Sequence, residues 1–594
     1  MKNRNEIPDG YKWNIELMYA DDAVWEEDLS KASMYAERYA RHSGKLGSSA
    51  KALLAALRDM DRVWLTAERV YVYARMRRDE DNNNSKYQAM ADKAQVLFAK
   101  VAAELSFFTP EFLAIPKTRL ADFRRSESGL AGYAHIIDVL LRKKPHVLSK
   151  KEENLLAVLS EPLSATNEIF SMINNADIKF GNIKDESGKS VELTHGNYIN
   201  FLESKERKVR KAAYDAVYSA YGKQRNTLAA TYSYNTKTDA LTARVRNYGS
   251  SLEAALSGDN VPLSVYDNLI DIVNESLPVL HRYMGIRRKL LGVRKLKMYD
   301  VYVPLFHLQN DRLEYEDAVD LMCEALQPLG ESYIEAMASG VRSGWIDVFE
   351  NEGKSSGAYS FGSYDSMPYI LMNYSGRLKD AFTLVHEMGH SMHSYFTRKT
   401  QPYRYGSHSI FTAEVASTVN ESLLMNYLLD TRTGKAERRY LTNMYIEEFR
   451  TTLFRQTMFA EFEKQTHEAV ERGDVLTADY LCGIYSELNA KYFGSGVDTD
   501  SNIAMEWARI PHFYRAFYVY KYATGYSAAT AISGRILDEG YGAVRDYLHF
   551  LKLGDSDDPI ELLKIAGVDM ASPEPIEDAM GVFEGLVDDL EELI

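Results

Sequence analysis

The stretch Leu378–His393, LKDAFTLVHEMGHSMH, constrains this chain more than any other. Its apolar residues recur at 378, 381/382, 385, 388/389 and 392, the spacing of one buried helical stripe. Beside that stripe His386 and His390 stand four apart, one turn from each other on a single face. Two imidazoles held this way can bind one zinc ion at roughly 2.0–2.1 Å each. Glu387, between them, can lean toward the ion's open side without binding it, where a general base for water belongs. The four-residue pattern alone arises by chance in roughly a few per cent of chains this long, so it needs context. No His-x-x-Gly-x-x-His extension follows, which sets aside the metzincin arrangement. The third ligand is then expected to be a carboxylate on a second helix, and Glu414 opens such a pattern, running from 412 to about 429. Gly389 and Ala413 are small enough to let the two helices approach closely. Glu421 lies on the face of Glu414 and can accept the free ring N–H of a ligating histidine. His393 is seven residues beyond His386, about 10 Å along the axis, too far to share the ion.

Composition excludes several alternatives. With 26% charged and 45% apolar residues over 594 positions, the chain reads as globular, with enough length for a few large domains. A net charge of −15 argues against nucleic acid as partner. No apolar run approaches the ~20 residues of a membrane helix, and the first residues lack the apolar core of a signal peptide. Only Cys323 and Cys482 occur, which suits a reducing cytoplasm and no disulfide framework. The oligomeric state is left open.

Taken in order, residues 1–110 read as an N-terminal region of long helices, with Ala50–Val72 and Ser85–Phe107 ended near Pro110. Residues 111–200 read as a second helical region. Ser149-x-x-Glu152 is a capping box there, and apolar residues flanking Asp185-Glu186-Ser187-Gly188 predict a short β-hairpin. Residues 201–594 carry the catalytic chemistry. Within them Pro368–Tyr374 is a strand candidate just before the histidine helix, whose free edge could pair with an extended peptide. Pro511 predicts the start of a helix through Gly525. On one continuous helix His512 and Tyr520 would share a side, and Tyr514, Tyr518 and Tyr522 another.

With those residues in view, the chain resembles the oligoendopeptidase F family of zinc peptidases, related to thimet oligopeptidase. The resemblance rests on His386–His390 with Glu414-Val415-Ala416-Ser417-Thr418, on Tyr405-Gly406 and on Ser409-Ile410-Phe411. Gly10-Tyr11-Lys12-Trp13, Leu193–Tyr198, Tyr299–Pro304, Gly357-Ala358-Tyr359-Ser360, Arg509–Tyr514 and Pro559–Lys564 extend it over essentially the whole chain. One departure is His408, which stands where a tyrosine is expected.

The resemblance implies a mostly α fold, a two-lobed helical clamshell with a deep central cleft and a small β-sheet beside the metal helix. It implies one Zn²⁺ per chain, oligopeptide substrates and cleavage at internal bonds. It also implies that Gly357 and Tyr359 border the substrate and that His512, with Tyr520, donates hydrogen bonds to the oxyanion. Tyr514 and Tyr518 are held in reserve as substrate contacts. A zinc carboxypeptidase of similar build would need a cation to clamp the substrate's terminal carboxylate, and none is identifiable. A peptide-binding scaffold without catalysis is opposed by the intact His-Glu-x-x-His.

Overall fold

The computed structural model describes residues 2–308 and 311–594. Helix accounts for 72% of it, and the sheets are small. The chain divides into two compact units, each visited three times. The first takes the described residues through Val147, then Asp311–Leu424 and Ile532–Gly567; the second takes 148–308, Met425–Ala531 and Val568–Ile594. These boundaries follow packing and differ from the consecutive divisions at 110 and 200, because helices distant in sequence return to the same core.

In the first unit α1 (Asp22–Tyr39), α2 (Ala50–Glu80) and α3 (Ser85–Leu105) pack side by side. Asp21, Ser49 and Asn84 cap their first turns by accepting backbone N–H groups that would otherwise go unpaired. The small sheet lies against this core. Its strands are β1 (Ile346–Asp347), β2 (Tyr359–Phe361) and β3 (Tyr369–Leu371), with Tyr369 and Leu371 buried among the helical side chains. The order is β1-β3-β2, with β3 parallel to β1 and antiparallel to β2. The expectation of a free edge at Pro368–Tyr374 is therefore corrected. That strand is paired on both sides, and the edge strands are β1 and β2.

Polar ties fix the sheet. Arg4 donates to Asp347 Oδ2 at 2.6 Å, and the Tyr369 hydroxyl donates to the Asn14 carbonyl at 2.8 Å. The Lys354 side chain, itself fully buried, pairs with Asp347 Oδ1 at 2.7 Å. After the sheet come α4 (Leu378–Thr400) and α5 (Ile410–Thr431).

The second unit holds the predicted capping box, with Ser149 and Glu152 each accepting the other's backbone N–H at the start of Lys150–Met172. The hairpin also forms, pairing Asn182–Lys184 with Ser190–Glu192. The segment after Pro511 departs from expectation. A short 3₁₀ turn spans Pro511–Tyr514, and the helix starts only at Tyr520, running to Glu539. Between them Phe517 takes the left-handed conformation, φ +54°.

Candidate active site

The start of α4 is secured by Asp380, whose Oδ2 accepts the N–H groups of Ser375 at 2.9 Å and Arg377 at 3.0 Å. Its apolar stripe, Ala381, Leu384, Val385, Met388 and Met392, is fully buried. That burial leaves the His386–His390 side of the helix facing outward. Antiparallel chain packing then needs close contact with α5, and Gly389 permits it. A Cβ there would lie 2.5 Å from the Ser417 Cα and 2.6 Å from the Ala416 carbonyl oxygen. Asn420 adds a hydrogen bond across the contact, from its Nδ2 to the Val385 carbonyl at 3.3 Å.

This contact brings Glu414 to the histidines. Nε2 of His386 and Nε2 of His390 lie 3.4 and 3.3 Å from the same Glu414 Oε2. The two rings stand nearly perpendicular, 82°, with centroids 4.9 Å apart. Glu421 Oε2 is 3.1 Å from His386 Nδ1, so it accepts that N–H and leaves the Nε2 lone pair aimed at the cluster. Ser417 donates to Glu414 Oε2 at 3.2 Å, orienting the carboxylate.

The cluster fits a divalent cation. Two atoms each 2.0–2.1 Å from one tetrahedral ion lie about 3.3–3.4 Å apart, the spacing found here. Two imidazole nitrogens and one carboxylate oxygen are also a donor set that zinc accepts while keeping a fourth position open. Among the described residues this is the single group of three or more such donors.

Charge follows geometry. Burial pushes the Glu414 carboxyl up, but hydrogen bonds and charge from His386 and His390 outweigh it and hold Glu414 well below the carboxylate range. Burial raises Glu387 above its ordinary value, opposed by the two histidines and by the Ser360 N–H that donates to its carboxylate. Ser360 sits on β2, and its hydroxyl is 2.8 Å from that of the fully buried Ser391 on α4. Glu387, helix and edge strand are thereby joined.

A cavity of about 390 Å³ opens over this arrangement, lined by Ala358, Tyr359 and Ser360, by His386, Glu387 and His390, by His393 and Ser394, and by His408, Ala413 and Glu414. Tyr359 borders it, but its hydroxyl donates to Asp79 at 3.0 Å and so anchors the strand. Gly357, φ +84°, turns the chain just before β2, and its carbonyl accepts from Asn373 Nδ2 at 2.8 Å. His393 does not join the donor cluster. Its ring lies on that of His408, with centroids 3.6 Å apart, and both are buried out of their ordinary range.

In the second unit His512 meets Tyr518 and Tyr522. The His512 and Tyr518 rings are stacked at 6.1 Å and 16°, and Tyr522 stands edge-on to both, at 6.0 and 5.5 Å. Burial and the charge of Arg515 lower His512 below its ordinary value. The grouping of His512 with Tyr520 is corrected. Tyr520 is fully buried, with its ring 5.1 Å from that of Tyr266. One helix through 511–525 would have set the two on a shared side; the break at Phe517 changes the phase. Tyr514 likewise packs inward, stacked on Phe170 at 4.3 Å.

Sequence reading missed Ser360, Ser391, Ser417 and Tyr522 as partners. Ser417, one turn after Glu414, was discoverable from spacing; Ser360 reaches Glu387 only through the sheet, for which spacing gives no signal.

Residues 200–582 match the profile described as peptidase family M3, and residues 111–180 match that of Oligopeptidase F. Oligopeptidase PepF of Bacillus subtilis (strain 168) is 48% identical, over 100% of this chain and 89% of that protein. An oligoendopeptidase F homolog of Lactococcus lactis subsp. lactis (strain IL1403) is 43% identical, over 100% and 99%. The crystal structure of oligoendopeptidase-F from Enterococcus faecium superposes with a TM-score of 0.76 at 40% identity, covering 96% of this chain and 99% of that one.

Proposed function

The chain belongs to peptidase family M3 and, within it, to the oligoendopeptidase F group of metalloendopeptidases that cleave oligopeptides; from that premise we propose that it is a zinc enzyme whose ion is held by His386, His390 and Glu414. The observation that carries this reading is the convergence of both Nε2 atoms on one Glu414 oxygen at 3.3–3.4 Å. A bound zinc ion supplies Lewis-acid chemistry, letting water ionise near neutral pH and polarising the scissile carbonyl.

The chain's own residues do the rest. Glu387 takes the proton from the attacking water and delivers it to the leaving amine. Ser360 N–H keeps that carboxylate oriented while it is anionic. Edge strand β2 offers backbone groups to an extended substrate, with Gly357 turning the chain toward it and Tyr359 held rigid by Asp79. Glu421 fixes the His386 tautomer. His512 and Tyr518 supply hydrogen bonds to the oxyanion, a part in which Tyr518 replaces Tyr520. We place the enzyme in the cytoplasm, because its two cysteines are both unpaired. Among the described residues no helix is long and apolar enough to cross a membrane.

Two measurements test the reading. The purified protein contains about one zinc per chain, and chelation abolishes hydrolysis until zinc is restored. Mass spectrometry of a digested mixed-length peptide library finds cuts at internal bonds. Full activity in metal-free protein refutes the zinc assignment, and release of single C-terminal residues from every peptide favours a carboxypeptidase.

A further inference from the structure

Glu463 is fully buried on the helix Arg455–Arg472 of the second unit. Its Oε1 accepts the backbone N–H of Phe517 at 3.0 Å, while its Oε2 has no hydrogen-bond partner among the described residues. A carboxyl group buried with one oxygen bare is a costly arrangement, and folds rarely retain one without a use. Phe517 is costly too. A bulky residue at φ +54° is a backbone outlier of the kind that clusters at working sites. Its ring is locked in place, 4.5 Å from that of His467 and 5.7 Å from that of Tyr266. The two anomalies are joined by one hydrogen bond.

That bond sits at the break between the Pro511–Tyr514 turn and the helix from Tyr520. The chain leaves helical geometry at Arg515, φ −130°, and Phe517 follows in the left-handed region, so Tyr518 and Tyr522 meet His512 across a turn and not along one helix face. We propose that Glu463 is a positioning residue for turnover: by receiving the N–H of Phe517 it locks the left-handed residue that sets Tyr518 and Tyr522 against His512. This rests on the reading above that His512 and Tyr518 serve the transition state. Glu463 reaches this segment through the Phe517 N–H, so its effect passes through the backbone.

The test uses the zinc-loaded, full-length enzyme. Glu463→Ala lowers kcat about 10–100-fold, the scale of a small misplacement of catalytic groups, with KM within about twofold and zinc content unchanged. Hydrogen–deuterium exchange rises in the peptide spanning residues 515–522 and stays as in the parent across α4 and α5. Glu463→Gln, whose amide oxygen still accepts the Phe517 N–H, restores both kcat and protection. Normal kcat in Glu463→Ala overturns the proposal. Slow turnover in His512→Ala and Tyr518→Phe then leaves the parent reading standing with Glu463 idle, whereas normal turnover in both removes the parent reading as well. A purely structural role is the other overturning result: Glu463→Ala and Glu463→Gln both lose thermal stability, with kcat per folded, zinc-loaded molecule unchanged.

Discussion

The α4–α5 pair and the segment Pro511–Tyr522 both gather histidine with partners of complementary chemistry, yet by opposite means. In the first, every donor rides on a continuous helix, and one glycine lets the helices touch. In the second, the grouping depends on interrupting the helix at Phe517. Continuous helices convert spacing into geometry, so His386, His390 and Glu414 meet where a period of 3.6 puts them. A break discards that conversion. The comparison teaches that a periodic pattern is trustworthy only as far as the backbone stays in one conformation.

The largest expected effects test the helix pair. His386→Ala, His390→Ala and Glu414→Ala each lose zinc and, with it, all measurable hydrolysis. Glu387→Gln keeps the metal while kcat falls about 10²–10⁴-fold, because the general base is gone and the ligands are not. Metal analysis beside kcat separates the two classes. If Glu387→Gln lost zinc as the others do, Glu387 would be a ligand, and helix geometry would have misassigned the face.

The second test sharpens the contrast directly. Tyr518→Phe removes a hydroxyl from the His512 cluster and lowers kcat about 10²–10³-fold, with KM little changed. Tyr520→Phe, which keeps the ring packed on Tyr266, leaves turnover normal. The opposite pattern would restore the uninterrupted-helix phase. The comparison between regions would then collapse.

How much was legible follows from the same physics. The capping box at Ser149, the 182–192 hairpin and the one-turn spacing of His386 and His390 are local or single-period features, and each formed as spacing required. The sheet was half legible. Its strand at 369–371 was found, but its place between two neighbours depends on pairing with Ile346–Asp347 and Tyr359–Phe361, and no local pattern encodes that. The same holds for Ser360, which reaches Glu387 only once β2 is laid along β3. Phe517 was invisible because nothing in a phenylalanine announces positive φ; Glu463, the group that holds it there, lies on a helix far earlier in the chain.

A smaller effect belongs to Glu421. It never joins the donor cluster, but it fixes the His386 ring through Nδ1 at 3.1 Å. Glu421→Ala therefore weakens zinc affinity about 10–100-fold, measured by competition with a chelator, while saturating zinc restores kcat. Loss of kcat that zinc cannot restore would move Glu421 from supporting the ligand to serving the reaction.

The smallest effect concerns a close neighbour of α4 that arrives from a loop, and it asks what continuity leaves out. His393 lies on the helix and His408 does not, yet their ring centroids are 3.6 Å apart, tilted by 34°. The Thr397 hydroxyl donates to the Leu551 carbonyl at 2.8 Å, so its oxygen accepts the N–H of His408 Nε2 at 3.0 Å. Burial, with the charges of Arg398 and His390, takes His408 from 6.5 down to about 3. A histidine with a depressed folded pKa binds its proton more readily in the unfolded chain. The stability it contributes is therefore present above pH 6.5 and is lost as pH falls toward 3, at about 1.4 kcal/mol per pH unit. His408→Phe keeps a flat ring on His393 but cannot take a proton. Between pH 6.5 and 5, where most carboxylates are still ionised, the variant should lose about 2 kcal/mol less than the parent in denaturant titrations, after a pH-independent cost from the lost hydrogen bond. Parallel pH dependence in the two proteins would mean that His408 stays protonatable where it sits, and that the stack on His393 does not bury it in solution.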